Sequence, residues 1–374
     1  MDFSYTEEQA ALRELAARLF AERFTDEYRR LFAREGEPYD ALLWAALAEA
    51  GVLGTAIAPE HGGCGLGLTE LALVLEEQGR TLAAVPLLAT LVLGALPLQR
   101  FGNPAQRALL RAVASGHILL SAALEEEGLT DALSPEVCAQ AIEGGWRISG
   151  LKTCVPYAQQ AQFFLVSART AAHGARLFII ERSAVGLTVE AQQSTSGEPQ
   201  GRVSLHGVLA GPGDVLGDDA SALRFMLEHA AVGLACVQLG VVQEALRRAA
   251  SYVSERQQFG RPIGAFQAVQ HRLADCYIDV EALRSVCLRA VWALDAGLEA
   301  AADAACAKWW AAQAGHRVTH AVQHVHGGLG ADVEYPVHAF FLKAKQLEVA
   351  LGGAAPTLAA LGRQLALGTV APFT

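Results

Sequence analysis

Hydrophobic and polar positions along this chain change period twice. Over residues 1 to about 115 the apolar side chains recur three and four apart, as one face of a helix requires. Leu12, Leu15, Ala16 and Leu19 follow Thr6-Glu7-Glu8, a capped start, and Leu42, Leu43, Ala46, Leu47 and Ala50 repeat the spacing until Gly51 ends it. A Pro59-Glu60-His61-Gly62-Gly63-Cys64-Gly65 loop then leads into a further helix at Thr69-Glu70. From 116 to about 217 the apolar runs become short or alternating, at 118–122, 146–150, 163–166, 177–180 and 203–205, with Gly, Ser, His and Asp clusters between them. That spacing predicts a small antiparallel sheet domain or barrel. From about 218 the helical period returns in longer stretches. Leu273, Tyr277, Val280, Leu283, Cys287 and Leu294 trace one predicted core stripe that Gly297 closes. Long helices with short Gly or Pro breaks predict a four-helix bundle. The fold class is α+β and multidomain: an N-terminal helical domain (1–115), a central antiparallel β domain (116–217) and a C-terminal four-helix bundle (218–374).

Composition narrows the function classes. The chain's 374 residues suffice for two or three domains, and 52% hydrophobic against 18% charged residues describes a well-packed protein. A net charge of −10 argues against a nucleic-acid partner, because phosphate binding needs a basic face. Seven cysteines without a CxxC pair read as scattered buried thiols in a reducing compartment, so a cytoplasmic location is expected. The start, Met1-Asp2-Phe3-Ser4-Tyr5-Thr6-Glu7-Glu8, has no basic segment followed by an apolar one, and no signal peptide is expected. The most apolar run, 83–97, is broken by Pro86 and is too short to span a bilayer; no membrane insertion is predicted.

The densest chemistry lies at 255–267, Glu-Arg-Gln-Gln-Phe-Gly-Arg-Pro-Ile-Gly-Ala-Phe-Gln, between two helical stretches. Arg256 carries a fixed charge and a five-donor fork suited to a diphosphate, or it terminates a helix as a cation favoured by the dipole. Downstream, His326-Gly327-Gly328-Leu329-Gly330 is closed by Glu334-Tyr335-Pro336. Glycines 327 and 328 remove Cβ atoms where a ligand needs close approach to backbone. Gly62-Gly63-Cys64-Gly65-Leu66-Gly67 is no dinucleotide loop, since no strand precedes it. His316, His320 and His324 share a helix face but lack a carboxylate motif, so a polar stripe is expected there and no metal site. Residues 125–127, three glutamates, read as a solvated edge.

These landmarks, with Pro59-Glu60-His61-Gly62-Gly63, Gly150-Leu151-Lys152-Thr153 and Gly213-Asp214-Val215-Leu216-Gly217, resemble the acyl-CoA dehydrogenase family over essentially the whole chain. The resemblance implies FAD as cofactor, an acyl-CoA thioester as substrate, α,β-dehydrogenation, and electron-transferring flavoprotein as acceptor. It implies that Arg256, Gln258, Phe259, Gln267, His324, Gly327 and Gly328 contact the far end of a flavin held by a neighbouring subunit. His324 stands where relatives commonly have glutamine. The flavin-ring side departs from the family pattern: Leu124-Glu125-Glu126-Glu127-Gly128 replaces a Thr-Glu-Pro-like turn, and Cys154-Val155-Pro156 replaces an aromatic and a threonine. Three adjacent carboxylates there would disfavour a reduced, anionic flavin. Leu351 falls at the usual position of the catalytic glutamate, before Gly352-Gly353. Relatives with the base on the first bundle helix align it with Ala230, leaving Glu228 as the fallback base. The Leu-Gly-Gly ending is similar to that of degenerate subunits in heteromeric bacterial dehydrogenases of steroid and sterol side chains. The resemblance thus implies a homologous catalytic partner and a bulky acyl group. Two other readings stay open: a self-sufficient homomeric dehydrogenase with a displaced base, and an assembly subunit without flavin.

Overall fold

The computed structural model describes residues 4–128, 131–172 and 174–368. Its packing divides the chain into two compact units. One comprises the chain up to Gly36, Ala72–Ala83 and everything from Ala231 onward; the other comprises Glu37–Leu71 and Ala84–Ala230.

The second unit is built on eight strands: β1 (Leu120–Ala123), β2 (Cys138–Ile142), β3 (Gly145–Pro156), β4 (Phe163–Thr170), β5 (Gly174–Glu181), β6 (Leu187–Gln192), β7 (Gln200–Ala210) and β8 (Val215–Leu216). They run in the order β6-β7-β3-β2-β4-β5-β8, with β1 also on β4. Most neighbours are antiparallel, as expected, but β1 pairs with β4 in parallel, Leu120 opposite Phe163. The β2–β3 hairpin lies between them in sequence, and such an excursion permits a parallel pairing that a tight turn forbids. Phe164, Val166, Phe178, Ile148, Val203 and Leu205 form the core of the sheet. The register of β3 on β7 shifts between Lys152 and Val155, a bulge that matters below.

Four helices carry the first unit's C-terminal part: Ser221–Glu255 (from Ala231 on), Gln267–Asp295, Ala301–His326 and Val337–Val349, followed by Ala354–Ala366. The N-terminal helix Glu7–Arg23 begins with a capping box, Thr6 Oγ1 accepting from the Gln9 N–H at 3.2 Å and Gln9 Oε1 from the Thr6 N–H at 3.0 Å. One expectation is corrected: Tyr277 is 60% exposed, while Val280, Leu283 and Cys287 on the same helix are buried. The cysteines also depart from the buried-thiol reading, since Cys64 and Cys138 are exposed and only Cys236, Cys276 and Cys287 are buried. Among the described residues one helix, Ser221–Glu255, is long and apolar enough by length and composition to cross a membrane, yet 78% of its apolar window is buried inside the protein, as befits a core helix.

Two glycines set how closely the helix Leu68–Thr81 approaches Ser221–Glu255. A Cβ on Gly79 would lie 2.1 Å from the Val237 carbonyl oxygen, and one on Gly240 would lie 1.9 Å from that of Glu76. Gly240→Ala is therefore expected to destabilise the chain by about 1–3 kcal/mol through overpacking, read as a lower denaturant midpoint. An unchanged midpoint would refute the close crossing.

An ionic cluster joins Asp26–Glu35 to the bundle. Arg248 donates to Asp26 Oδ2 at 2.6 Å and to Glu244 Oε1 at 2.8 Å, its guanidinium 5.0 Å from the Phe340 ring centroid. Burial raises the Asp26 and Glu244 pKa values, but hydrogen bonds and charge from Arg248, Arg29 and Arg247 outweigh it and hold both carboxyls below their ordinary 3.8 and 4.5. Depressed carboxylates contribute stability above the unfolded values and lose it as pH falls through the folded ones. Acid unfolding is thus expected below about pH 4.5, and Arg248→Met should move its midpoint upward in a circular-dichroism titration. An unmoved midpoint would remove the cluster from the acid transition.

Candidate functional site

In the bundle unit, Glu255 ends its helix and the chain makes a two-residue hairpin, Gln257–Gln258 against Arg261–Pro262, before Gln267 opens the next helix. Phe259 and Gly260 are its tip, with φ +53° and +77°. A phenylalanine in this left-handed region is strained by about 1–3 kcal/mol, and its ring is 91% exposed. The hairpin is braced by the Ile263 N–H donating to the Arg256 carbonyl at 2.8 Å and by Arg261 over the Phe266 ring at 4.1 Å. Arg256 and Gln258 are exposed, and among the described residues the Arg256 guanidinium has no carboxylate partner. The helix Gln267–Asp295 starts at Phe266, which offers no side-chain cap. Its first N–H groups and the helix dipole therefore favour an anion.

The glycine turn belongs to the same unit. Ala301–His326 ends where Gly327 adopts φ +61°, ψ −135°. Gly327 and Gly328 are exposed, and a Cβ on either would meet nothing within 4 Å; Gly330, by contrast, is pressed against the Gln323 carbonyl oxygen. His324 is exposed in the last turn. An uncapped helix start, an unpaired guanidinium, an exposed ring and open glycine backbone fit the phosphates and nucleotide of FAD. Among the described residues no group of three His, Cys, Asp or Glu could hold a metal.

Leu351 follows the helix Val337–Val349 and has φ +52°, a left-handed backbone from which a leucine gains nothing. Lys308, 3% exposed, anchors that helix end by donating to the Leu347 and Glu348 carbonyls at 3.2 and 3.0 Å. The carboxylate one turn earlier, Glu348, is bonded to Lys345, whose ammonium lies 3.0 Å from His316 Nδ1. In the other unit, Glu228 is half-buried, Ala230 fully buried, and His229 between them stacks on Phe225 at 3.8 Å.

The β unit overturns the reading of residues 125–127. Glu126 is buried and accepts from Lys152 Nζ at 2.5 Å and from the Glu136 and Val137 N–H groups at 2.7 and 3.2 Å. Lys152, wholly buried, also donates to Ser167 Oγ at 2.8 Å. Burial pulls its pKa down to about 8, against the attraction of Glu126. Glu126 is thus a counter-ion inside the sheet domain; only Glu127 of the three is fully exposed. At the β3 bulge Cys154 sits at φ +52° with its N–H bonded to Gln192 Oε1 at 2.8 Å, and the Pro156 carbonyl accepts from Ser121 Oγ at 2.5 Å. Neither Gln192 nor Ser121 stood out in the sequence. Their partners lie 38 and 35 residues away, beyond any local pattern.

Family models described as acyl-CoA dehydrogenase N-terminal, middle and C-terminal domains match residues 6–117, 121–208 and 220–366. Acyl-CoA dehydrogenase FadE27 of Mycobacterium tuberculosis is 38% identical, covering 98% of this chain and 99% of the relative. This chain is a member of the acyl-CoA dehydrogenase family. Like other members of this flavoprotein family, it belongs to the oxidoreductases that use FAD to dehydrogenate acyl-CoA thioesters. Two solved structures are also similar. A variant of the Tcur3481-Tcur3483 steroid ACAD is 44% identical with a TM-score of 0.92, covering 98% of this chain and 99% of its own. The ChsE4-ChsE5 complex from M. tuberculosis is 39% identical with a TM-score of 0.93, covering 100% of both chains.

Proposed function

We propose that this acyl-CoA dehydrogenase chain is the non-catalytic half of a heteromeric enzyme, gripping the nucleotide end of an FAD whose ring lies in a homologous partner. The observation that carries this reading is the contrast within one unit. Leu351 stands at the base position, while Arg256, Gln258, Phe259, Gln267, His324, Gly327 and Gly328 present exposed surface around two helix ends. In such an arrangement Arg256 and the uncapped start at Gln267 neutralise diphosphate charge, Phe259 offers a ring to pack on, and the glycines admit backbone contact. FAD supplies the hydride acceptor; the proton at the α carbon goes to a base on the partner.

The ring side supports the same reading. The Cys154 N–H is taken by Gln192, the Pro156 carbonyl by Ser121, and proline has no N–H to give. The Cys154 N–H, a donor that could meet a flavin edge, is spent inside the domain. The two similar structures named as a Tcur3481-Tcur3483 assembly and a ChsE4-ChsE5 complex favour a heteromer, and the word steroid in the first name favours a bulky polycyclic acyl group. Electron-transferring flavoprotein is the proposed acceptor.

Flavin absorbance of the chain purified alone, and of the complex recovered from its source through a tag on this chain, tests the proposal. The expected result is little flavin alone, one FAD per pair in the complex, and acyl-CoA-dependent bleaching only in the complex. Stoichiometric FAD with bleaching in the isolated chain would establish a homomeric enzyme, with Glu228→Gln the next variant to make. A complex without flavin would establish an assembly role.

A further inference from the structure

The proposed cradle is assembled from two helix ends, Arg256 just beyond Glu255 and Gly327-Gly328 just beyond His326. A ring stack joins them. Tyr252, one turn before Arg256 with its carbonyl accepting the Arg256 N–H at 2.8 Å, lies against the His326 imidazole, centroids 4.3 Å apart and planes within 23°. Tyr335, from the segment after the glycine turn, lies 5.5 Å from the same ring. His326 is 4% exposed. Its Nδ1 is 2.7 Å from the Val322 carbonyl oxygen, so Nδ1 carries the hydrogen and donates, and Nε2 is a bare acceptor. That Nε2 is buried and has no hydrogen-bond partner among the described residues.

We propose that His326 is a positioning residue whose neutral ring, stacked on Tyr252, sets the spacing between Arg256 and the Gly327-Gly328 turn, and whose protonation loosens the turn. This rests on the cofactor reading above.

Protonation adds an N–H at Nε2 where no acceptor waits, and a buried unpaired donor is costly. The rings facing His326 from other elements are Tyr252 and Tyr335; Arg248, Asp26 and Glu255 act on Tyr335. Burial lowers the pKa of His326 below the ordinary 6.5, opposed by the Val322 carbonyl. The folded state therefore resists a proton that the unfolded state takes up. The stack's contribution is full above pH 6.5 and is lost as pH falls below it.

The test compares wild type, His326→Phe and His326→Ala in the tagged complex, reading FAD retained after desalting at about pH 7.5 and about pH 5.5. At the higher pH, phenylalanine keeps the stack and should hold FAD within about twofold of wild type, while alanine should loosen it about fivefold or more. At the lower pH, wild type should lose about fivefold in retention and His326→Phe should not change. Alanine retaining FAD like wild type, or identical pH profiles for wild type and phenylalanine, would overturn the proposal. If His326→Ala fails to fold, the two remaining profiles decide. Hydrogen exchange in the chain alone gives a readout without flavin: amides 324–330 should open faster at the lower pH in wild type and not in His326→Phe. Arg256→Ala retaining FAD while that exchange difference persists would sink the cradle and leave the stack standing.

Discussion

Arg256→Ala is expected to weaken FAD retention by the complex about 10- to 100-fold, with the fold of the chain unchanged. The side chain is exposed and makes no ion pair among the described residues, so its removal withdraws nothing from the packed bundle. A charge-assisted hydrogen bond contributes about 1.5–3 kcal/mol, which is that range of binding constants. Arg256→Lys should recover only part of the loss, because an ammonium keeps the charge and lacks the planar fork. Flavin released after gel filtration, at two salt concentrations, measures both. Wild-type retention in the alanine variant would return Arg256 to the bland role of a cation at a helix end.

The second large effect is on stability. Lys152→Met is expected to cost about 3–5 kcal/mol, because it strands the buried Glu126 carboxylate with only two backbone N–H groups as partners. Adding Glu126→Gln should restore part of the loss, since the amide is neutral and its oxygen still accepts from one of the two backbone N–H groups, while its –NH2 faces the other. Equilibrium denaturation of the wild type, both single variants and the double variant gives the coupling between the two sites. A single-variant cost below about 1 kcal/mol would mean that the pair does not organise the sheet domain.

The pair also illustrates where local patterns stop being informative. Three consecutive glutamates look alike in sequence, and charge alone assigned them to solvent. The course of β3 brings Lys152 to the middle glutamate and β4 brings Ser167 to Lys152, from distant positions in the chain, and that encounter makes the glutamate a core residue. Strands rich in buried Phe, Ile and Val, such as β4 and β5, were legible as apolar runs. Strands β2 and β6, largely exposed with few buried positions, carried no such run and were missed. Tyr277 kept the helical period yet faces outward, because period gives spacing along a helix and not which side has a neighbour.

By itself the sequence determined the succession of helical, β and helical segments, the capped start at Thr6 and the stop at Gly51. Those features depend on residues within a turn or two of each other, where dihedral preference and side-chain type suffice. The tertiary structure alone decided the pairing of Glu126 with Lys152, the capture of the Cys154 N–H by Gln192, and the stack of Tyr252 on His326. Each joins groups far apart along the chain, and whether a polar atom is buried, bonded or bare depends on which distant segment arrives beside it.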